Sequence, residues 1–164
     1  SGIDYPVLQS SPEEPEYYLR RDYRGNYDIN GSLFLQADCI LGESGNLTIY
    51  GHNMNSGAMF GNLDQYASYD YWKAHPRVFF QTPGGMEEYR IAAVLKVDVS
   101  MFDFQRTSFQ SPQELEAYVA QAKALSLFET GVDGIGCEKT LTLVTCSYEW
   151  KQARNILVAV KIGA

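Results

Sequence analysis

The chain has 164 residues, and its 13 Lys and Arg against 20 Asp and Glu give a formal net charge of −7 at pH 7. A hydrophobic fraction of 45% with 20% charged residues excludes a disordered chain, and this length predicts a single domain over residues 1–164. The acidic balance argues against nucleic acid and anionic lipid as partners, because both require a basic face. No segment reaches the roughly 18 consecutive apolar residues of a membrane span.

Short strand signals alternate with turn residues along most of the chain. The strand-like runs are rich in Val, Ile, Leu, Phe, Tyr and Thr and are bounded by Gly, Asn, Asp or Pro. These runs are Ile3–Gln9, Leu33–Ile40, Asn46–Tyr50, Arg77–Gln81, Glu87–Val99, Thr140–Cys146 and Asn155–Ile162. Thr82–Gly85, between two of them, is typical of a hairpin loop. Short sequential strands indicate a mainly β protein, either a closed barrel or a sandwich, and not alternating βαβ units.

The clearest helix begins after Ser111, which is a good N-cap residue. Pro112 occupies the first helical position, and Glu114 completes a capping box. Apolar residues then recur at helical spacing along one stripe, at Leu115, Tyr118, Val119, Ala122 and Leu125. Gly131 is the expected end of this helix. The helix is therefore predicted as an insertion between the two late strands that end near Val99 and begin near Thr140.

Two shorter helices are also predicted. One begins at Ser11 near the N-terminus and runs to about Arg21, although Pro15 limits its first turn. The other runs from Ser68 to Ala74, where Pro76 stops it. These helices would be added to a fold that is otherwise built from strands.

The chain has three cysteines, and an odd number cannot pair completely. Cys39 shares a strand face with Leu33 and Leu35, which predicts a core position. Cys137 lies in a Gly-rich loop, and whether it pairs with Cys39 stays open. Cys146 ends a predicted strand, so its thiol is expected at the rim of the sheet, where a substrate can reach it.

A nucleophilic cysteine needs a base or a cationic neighbour, because the thiolate is the reactive species. His75 ends a short helix, which favours a structural role. His52 follows a strand and Gly51, and both a structural and a catalytic role stay open for it. Arg154 begins the strand after Cys146, and its side chain points to the same face of that strand as a row of apolar residues. Its charge must therefore find a partner there or face a groove. No cluster has metal-ligand spacing, and no metal or other cofactor is indicated.

Two motifs in the sequence resemble those of a known protein family. The Thr140-Leu141 and Thr145-Cys146 pairs, followed by Arg154, resemble the active-site signature of sortases. Tyr50-Gly51-His52-Asn53-Met54, then Ser56-Gly57 and Met59-Phe60, is similar to the histidine motif of class B sortases. Further segments agree in order, namely Ile3–Val7, Tyr17–Leu19 and Gly31–Leu35. The resemblance covers nearly the whole chain.

The resemblance implies a mainly β fold, a closed eight-stranded β-barrel with an N-terminal helix and a helix inserted between the two late strands. It implies Cys146 as the nucleophile and His52 as the proton donor and acceptor. Arg154 would steady the oxyanion or hold the substrate backbone by its planar fork. Substrate-binding positions carried over are Thr145, Tyr50 and Leu19. The inserted helix would form a wall of the substrate cleft. Two departures, Pro15 and Val144, stand where relatives have polar residues and put the finer substrate contacts in doubt.

The implied function is that of a cysteine transpeptidase. It would cleave a sorting signal of the Asn-Pro-x-Thr type after Thr, form a thioacyl-enzyme, and transfer the protein to a cell-wall amine. An N-terminal membrane helix outside this sequence would tether it to the extracellular face of a Gram-positive-type cell. The alternatives are a sortase that polymerises pilins through a Lys acceptor, a thiol hydrolase of the same architecture, and a catalytically idle extracellular peptide-binding barrel.

Overall fold

The computed structural model describes residues 1–146 and 152–162, apart from the side chain of Cys146. Seven strands lie in this part of the chain: β1 Val7–Leu8, β2 Leu33–Leu35, β3 Asn46–Tyr50, β4 Arg77–Thr82, β5 Gly85–Asp98, β6 Thr140–Cys146 and β7 Ala153–Lys161. The helices are α1 Tyr69–Ala74 and α2 Pro112–Leu125, with 3₁₀ turns at Tyr17–Arg20 and Leu63–Ala67. The prediction of a mainly β protein with added helices is confirmed.

The strands form one sheet in the order β1-β2-β3-β6-β7-β5-β4. β1 pairs with β2 and β3 with β6 in parallel, and the other neighbours are antiparallel. Within the described residues this differs from the closed eight-stranded barrel, because seven strands are present and β1 and β4 are its unpaired edges. An apolar cavity of about 560 Å³ opens between these two edges, and Val7 and Val78 both line it. β1 is only two residues long, too short to close such a gap with a ladder of hydrogen bonds.

Local chemistry explains which helices form. Ser111 caps α2 by accepting from the Glu114 N–H at 3.3 Å, and Ser68 caps α1 by accepting from the Tyr71 N–H at 3.3 Å. The predicted cap at Ser111 and the predicted start of the short helix at Ser68 are therefore confirmed. The apolar stripe of α2 is also confirmed, since its buried residues are Leu115, Tyr118, Val119 and Ala122.

Two helix boundaries differ from the prediction. The N-terminal helix is reduced to the 3₁₀ turn Tyr17–Arg20, since Pro15 removes a backbone donor and disfavours the helical conformation of the residue before it. Helix α2 ends at Leu125, not at Gly131. Ser126 is extended, and its hydroxyl accepts from the Val94 N–H at 3.0 Å, so a contact with β5 ends the helix.

The two faces of the sheet bury separate apolar clusters. Residues such as Leu47, Leu141 and Leu157 face one cluster, which also contains Cys39 as predicted. Residues such as Val144 and Ile156 face the other cluster, beneath α2. Successive side chains on a strand point to opposite faces, so residue parity decides the cluster.

A buried polar network lies on the α2 side of the sheet and fixes the register of β3 against β6. The side-chain oxygen Oδ1 of Asn46 accepts from the Thr140 hydroxyl at 2.8 Å and from the Thr142 hydroxyl at 2.9 Å. The Tyr118 hydroxyl of α2 lies 2.8 Å from the Thr142 hydroxyl and accepts from the Asn46 amide at 3.2 Å. Since buried polar groups are costly without partners, this network favours one pairing of the two strands.

The described part of the chain includes no helix with the length and hydropathy to cross a membrane.

Candidate active site

The parallel pair β3 and β6 brings two of the predicted catalytic residues to one edge of the sheet. Tyr50 pairs with Val144, and the Gly51 N–H donates to the Val144 carbonyl at 3.2 Å. His52 comes two residues after Tyr50, as Cys146 does after Val144. Because parallel strands end at the same edge, His52 and Cys146 both lie at that edge of the sheet.

The antiparallel pair β6 and β7 adds the third residue. Cys146, the last residue of β6, is the register partner of Arg154 in β7. Sequence reasoning predicted that both stand at the same rim, and this placement is confirmed. Three residues separated by up to 102 positions therefore meet at one edge. The side chain of Cys146 lies outside the described residues.

Gly51 allows the chain to present His52 at this position. A Cβ at Gly51 would overlap Leu33 and lie 2.7 Å from Phe60 Cδ2, so the close packing requires glycine. After His52 the chain turns back, and the Phe60 N–H donates to the His52 carbonyl at 2.9 Å. Met59 adopts a φ of 54°, which is rare for a residue other than glycine, and thereby closes the loop. The backbone of His52 is therefore held on both sides.

The imidazole of His52 is half-buried and contacts the 3₁₀ turn Tyr17–Arg20. Its Nε2 lies 2.5 Å from the carbonyl oxygen of Leu19. A carbonyl oxygen only accepts, so Nε2 carries the proton in the neutral ring and Nδ1 is left as the acceptor. Burial lowers the pKa of His52, the Leu19 carbonyl raises it, and the Arg20 charge lowers it. The net direction is downward, which favours a neutral imidazole able to accept a proton.

The guanidinium of Arg154 is half-buried at the same edge. It donates to the carbonyl oxygen of Ala153 at 2.9 Å, a contact that restrains the side chain. Arg154 also lines a cavity that His52 lines, so it faces a groove. The sequence predicted that it would either face a groove or pair with another side chain. A planar guanidinium presents its donors in a rigid fork that matches a carbonyl oxygen or an oxyanion.

This cavity measures about 590 Å³, a size that suits several residues of a peptide. Its lining includes Leu19, Tyr50 and Thr145, the three residues that the resemblance assigned to substrate binding. The other lining residues are Pro12, Pro15, Glu16, Phe34, Gln36, Ala37, Asp38, Gly51, Phe104, Gln105 and Val144. The groove therefore combines apolar walls with a few polar groups, as ligand sites commonly do.

Tyr50 is held rigidly in this wall. Its hydroxyl donates to Gln36 Oε1 at 2.6 Å, and its ring stacks on Phe34 with centroids 5.3 Å apart. Burial raises the pKa of Tyr50, so the phenol stays neutral and offers an apolar ring to the groove. Sequence reasoning missed Gln36 and Phe34, because only the strand pairing shows that they stand beside Tyr50.

The expectation that α2 forms a wall of the cleft is not met among the described residues. Helix α2 packs on β5 over the cluster that contains Val119, and none of its residues lines the cavity. The preceding segment, with Phe104 and Gln105, supplies that wall. The hydroxyl of Thr48 in β3 donates to the Phe104 carbonyl at 2.6 Å and so holds this segment against the sheet.

Asp64 was missed by sequence reasoning. Its carboxylate accepts from the Asn53 amide at 3.2 and 3.3 Å, and from the Asn155 amide. Asn53 follows His52, and Asn155 follows Arg154. One carboxylate therefore ties together the two segments that carry the imidazole and the guanidinium. Nothing in the sequence links Asp64 to a residue 91 positions away.

The other titratable candidates are structural. Cys39 and Cys137 are free thiols, and burial is the main cause that raises the pKa of each. A raised thiol pKa leaves little thiolate, so both are weak nucleophiles. His75 ends α1 and stacks on Tyr71 with ring centroids 4.4 Å apart, which matches its predicted helix-end position. Across residues 1–146 and 152–162, no group of three His, Cys, Asp or Glu side chains is gathered to hold a metal.

Comparisons with known proteins agree with this geometry. Sortase B of Listeria monocytogenes is 32% identical over 150 residues, which cover 90% of this chain and 59% of that protein. The crystal structure of Clostridium perfringens sortase B superposes with a TM-score of 0.87 at 25% identity, covering 99% of this chain and 89% of that one. A Staphylococcus aureus sortase B–substrate complex has the same fold, with a TM-score of 0.86 at 24% identity and coverages of 100% and 77%.

The chain thus spans less than two thirds of the length of the Listeria protein that it matches. Its match to the family described as Sortase domain, however, extends over residues 1–162, from before β1 to beyond the end of β7. That range includes the strand ends where His52, Cys146 and Arg154 meet. With sequence, fold and family match in agreement, this protein belongs to the sortase family.

Proposed function

We propose that this chain is the catalytic part of a cysteine transpeptidase that acts on sorting signals, with Cys146, His52 and Arg154 as its catalytic residues. The observation that carries the proposal is the meeting of these three residues at one sheet edge. Cys146 is the register partner of Arg154, and His52 follows the end of the neighbouring parallel strand. The cavity of about 590 Å³ beside them provides room for a peptide.

In the first half of the reaction, the Cys146 sulfur attacks the backbone carbonyl carbon of the Thr residue in the sorting signal. The C–N bond of the scissile peptide breaks, and the acyl group stays on sulfur as a thioester. The neutral ring of His52 takes the proton of the Cys146 thiol as the sulfur attacks, and passes it to the leaving amine. The lowered pKa of His52 means that the ring gives up this proton readily.

In the second half, an amine acceptor attacks the thioester carbonyl. His52 takes the proton from the attacking amine, the C–S bond breaks, and the proton returns to the sulfur, which restores the thiol of Cys146 and the neutral ring of His52. Arg154 stabilises the oxyanion in both halves by donating from its planar fork. An amine prevails over water only when the groove positions it and limits solvent.

The substrate is proposed to be a sorting signal of the Asn-Pro-x-Thr type. The apolar walls made by Leu19 and Tyr50 suit a Pro side chain, and the S. aureus relative of the same fold binds a substrate in its complex. The acceptor is proposed to be an amine of the cell wall. The proposed location is the extracellular face of the membrane, through an anchor outside this sequence.

The test uses this chain with a fluorogenic sorting-signal peptide, with and without a small glycine-based amine. Wild type should give an amine-containing product and an acyl-enzyme detectable by mass spectrometry. Cys146→Ala should abolish both, whereas Cys137→Ala, a matched removal of a half-buried thiol outside the groove, should retain them. If no product contains the amine at any concentration of added amine, the protein is a hydrolase and the transpeptidase proposal is refuted. Equal activity of the two variants would refute the role of Cys146.

A further inference from the structure

We propose that Gly31 is a positioning residue for the reaction, because it lets the Leu19 carbonyl reach His52 and so fixes the orientation of the imidazole. The inference rests on the proposed function for the role of His52. Gly31 lies 12 residues beyond Leu19 in the chain and outside the cavity lining. It lies outside the lining of the substrate groove, and it acts through the backbone of the 3₁₀ turn.

The first step is the contact between the turn and the ring. The Leu19 N–H already donates to the Glu16 carbonyl at 3.0 Å, within the turn Tyr17–Arg20. The Leu19 carbonyl, 2.5 Å from His52 Nε2, points out of the turn to the ring. This single acceptor assigns the proton to Nε2 and directs the opposite nitrogen, Nδ1, away from the turn.

The second step is the packing beneath that carbonyl. Gly31 has a φ of 61° and is buried against the turn. A Cβ at this position would overlap the Leu19 carbonyl oxygen, and it would lie 2.9 Å from the Leu19 carbonyl carbon and 3.0 Å from the Tyr18 carbonyl oxygen. All three atoms belong to the backbone, so no side-chain rotation can relieve the overlap.

The third step concerns which of the two segments, β2 or the 3₁₀ turn, moves to relieve the overlap. β2 begins two residues after Gly31, is fully buried, and is paired on both sides by β1 and β3. The 3₁₀ turn has no buried residue. It is held to this segment by the Ser32 N–H, which donates to the Tyr18 carbonyl at 3.1 Å, and by the Ser32 hydroxyl, which donates to the Arg21 carbonyl at 2.9 Å. A side chain at Gly31 therefore displaces the turn and, with it, the Leu19 carbonyl.

The consequence is a change in both orientation and protonation of His52. The carbonyl favours the protonated ring, so its displacement lowers the pKa of His52 further. The charged and titratable groups around the ring and the cavity that it lines are Arg20 beside it and Glu16, Asp38, Tyr50 and Arg154 in the cavity lining. None of these groups is among the atoms nearest to a Cβ at Gly31, but Arg20 belongs to the displaced turn and moves with it. The Leu19 carbonyl has a larger effect on the pKa of His52 than the Arg20 charge, so its loss is the change that dominates. The limb of the pH profile that reports the titration of His52 moves to lower pH.

The test compares Gly31→Ala with two matched glycine variants. Gly42 has a φ of 85° with open space around its Cβ position, so Gly42→Ala introduces the same kind of backbone cost without a clash. Gly25 lies in the same segment with a φ of 85°, and a Cβ there meets only the end of the Tyr17 side chain. The ring is followed by ¹⁵N NMR of labelled histidines, with His75 as the internal reference, since the chain has two histidines.

We expect Gly31→Ala to change the His52 ¹⁵N shifts, to lower its titration midpoint, and to reduce kcat/KM by up to about a hundredfold, mostly through kcat. The two control variants should stay within about twofold of wild type. Unchanged His52 shifts and pH profile in folded Gly31→Ala would overturn the inference.

Two further outcomes are separable. If wild type shows no turnover but Gly31→Ala still changes the His52 signals, the proposed function fails and the coupling between Gly31 and His52 stands. If Gly31→Ala does not fold, Ser32→Ala decides the matter, because it removes only the hydroxyl bond to the Arg21 carbonyl that holds the same turn. Unchanged His52 signals in Ser32→Ala would then refute the inference.

Discussion

Replacing Asp64 with Ala is expected to lower both the stability and the activity of the protein. The carboxylate accepts from the Asn53 amide at 3.2 and 3.3 Å and from the Asn155 amide. Asn53 adjoins His52, and Asn155 adjoins Arg154. Removing the carboxylate therefore releases the two segments that present the imidazole and the guanidinium, which the proposed mechanism requires at a fixed separation.

The magnitude follows from the burial of the two amides. Asn53 and Asn155 are only 4% and 5% exposed, and a buried donor that loses its acceptor costs about 1–3 kcal/mol. Asp64 itself is exposed, so water replaces part of what the carboxylate provided. We therefore expect a total loss of about 1–3 kcal/mol in the free energy of unfolding. A shift of a fraction of an ångström between His52 and Arg154 should lower kcat/KM about tenfold.

The assay combines denaturant unfolding with peptide-cleavage kinetics in a double-mutant cycle of Asp64→Ala and Asn155→Ala. Asp70→Ala is the matched control, since it removes an exposed carboxylate from the first turn of α1, away from the groove. Coupled residues give interaction free energies of about 0.5–3 kcal/mol. Strict additivity of the two substitutions, or an equal loss of activity in Asp70→Ala, would refute the reasoning.

Three other substitutions and conditions give separate tests. Arg154→Lys should lower kcat about 10²–10³-fold at unchanged stability, because Lys lacks the planar fork, and near-normal steady-state kinetics would contradict this. Tyr118→Phe should cost about 1–2 kcal/mol in denaturant unfolding by removing the hydroxyl that bonds Thr142, with the KM for peptide unchanged. Burial lowers the pKa of His52, so the folded state binds fewer protons and stability should fall as pH drops below about 6.5. The fall in stability at acid pH should be smaller in His52→Gln. An identical slope of unfolding free energy against pH in both proteins would exclude a contribution from His52.

Most of the fold could be predicted because its signals are local. Alternating β-branched and aromatic runs located five of the seven strands to within two residues at each end, and the other two, β1 and β2, are shorter than predicted. Ser111 and Ser68 cap helices because a hydroxyl next to the first turn accepts a free backbone N–H, a rule that needs no tertiary information. The predicted bounds of β6, Thr140–Cys146, are those observed, and they place Cys146 at a strand end, where a thiol is accessible to a substrate.

The remaining features depend on contacts between distant segments. β2 ends at Leu35 because the chain then turns, with the Cys39 N–H donating to the Gln36 carbonyl at 3.0 Å, and strand propensity does not reveal such a turn. The end of α2 is decided by the contact between Ser126 and Val94, not by the glycine that follows. Asp64 and the Leu19 carbonyl reach the site from other loops, so only the folded chain shows them.

The buried polar network beneath α2 explains how residues so far apart in sequence form one site. His52 and Cys146 lie together at one edge of the sheet only while Tyr50 pairs with Val144, and a slip of one residue would turn one of the two strands over. Apolar packing alone tolerates such a slip better than hydrogen bonds do, because a misplaced Leu still finds apolar neighbours. Asn46, by contrast, satisfies the Thr140 and Thr142 hydroxyls in this register alone. Polar residues in the middle of the sheet therefore determine the geometry at its edge, where the proposed catalytic residues lie.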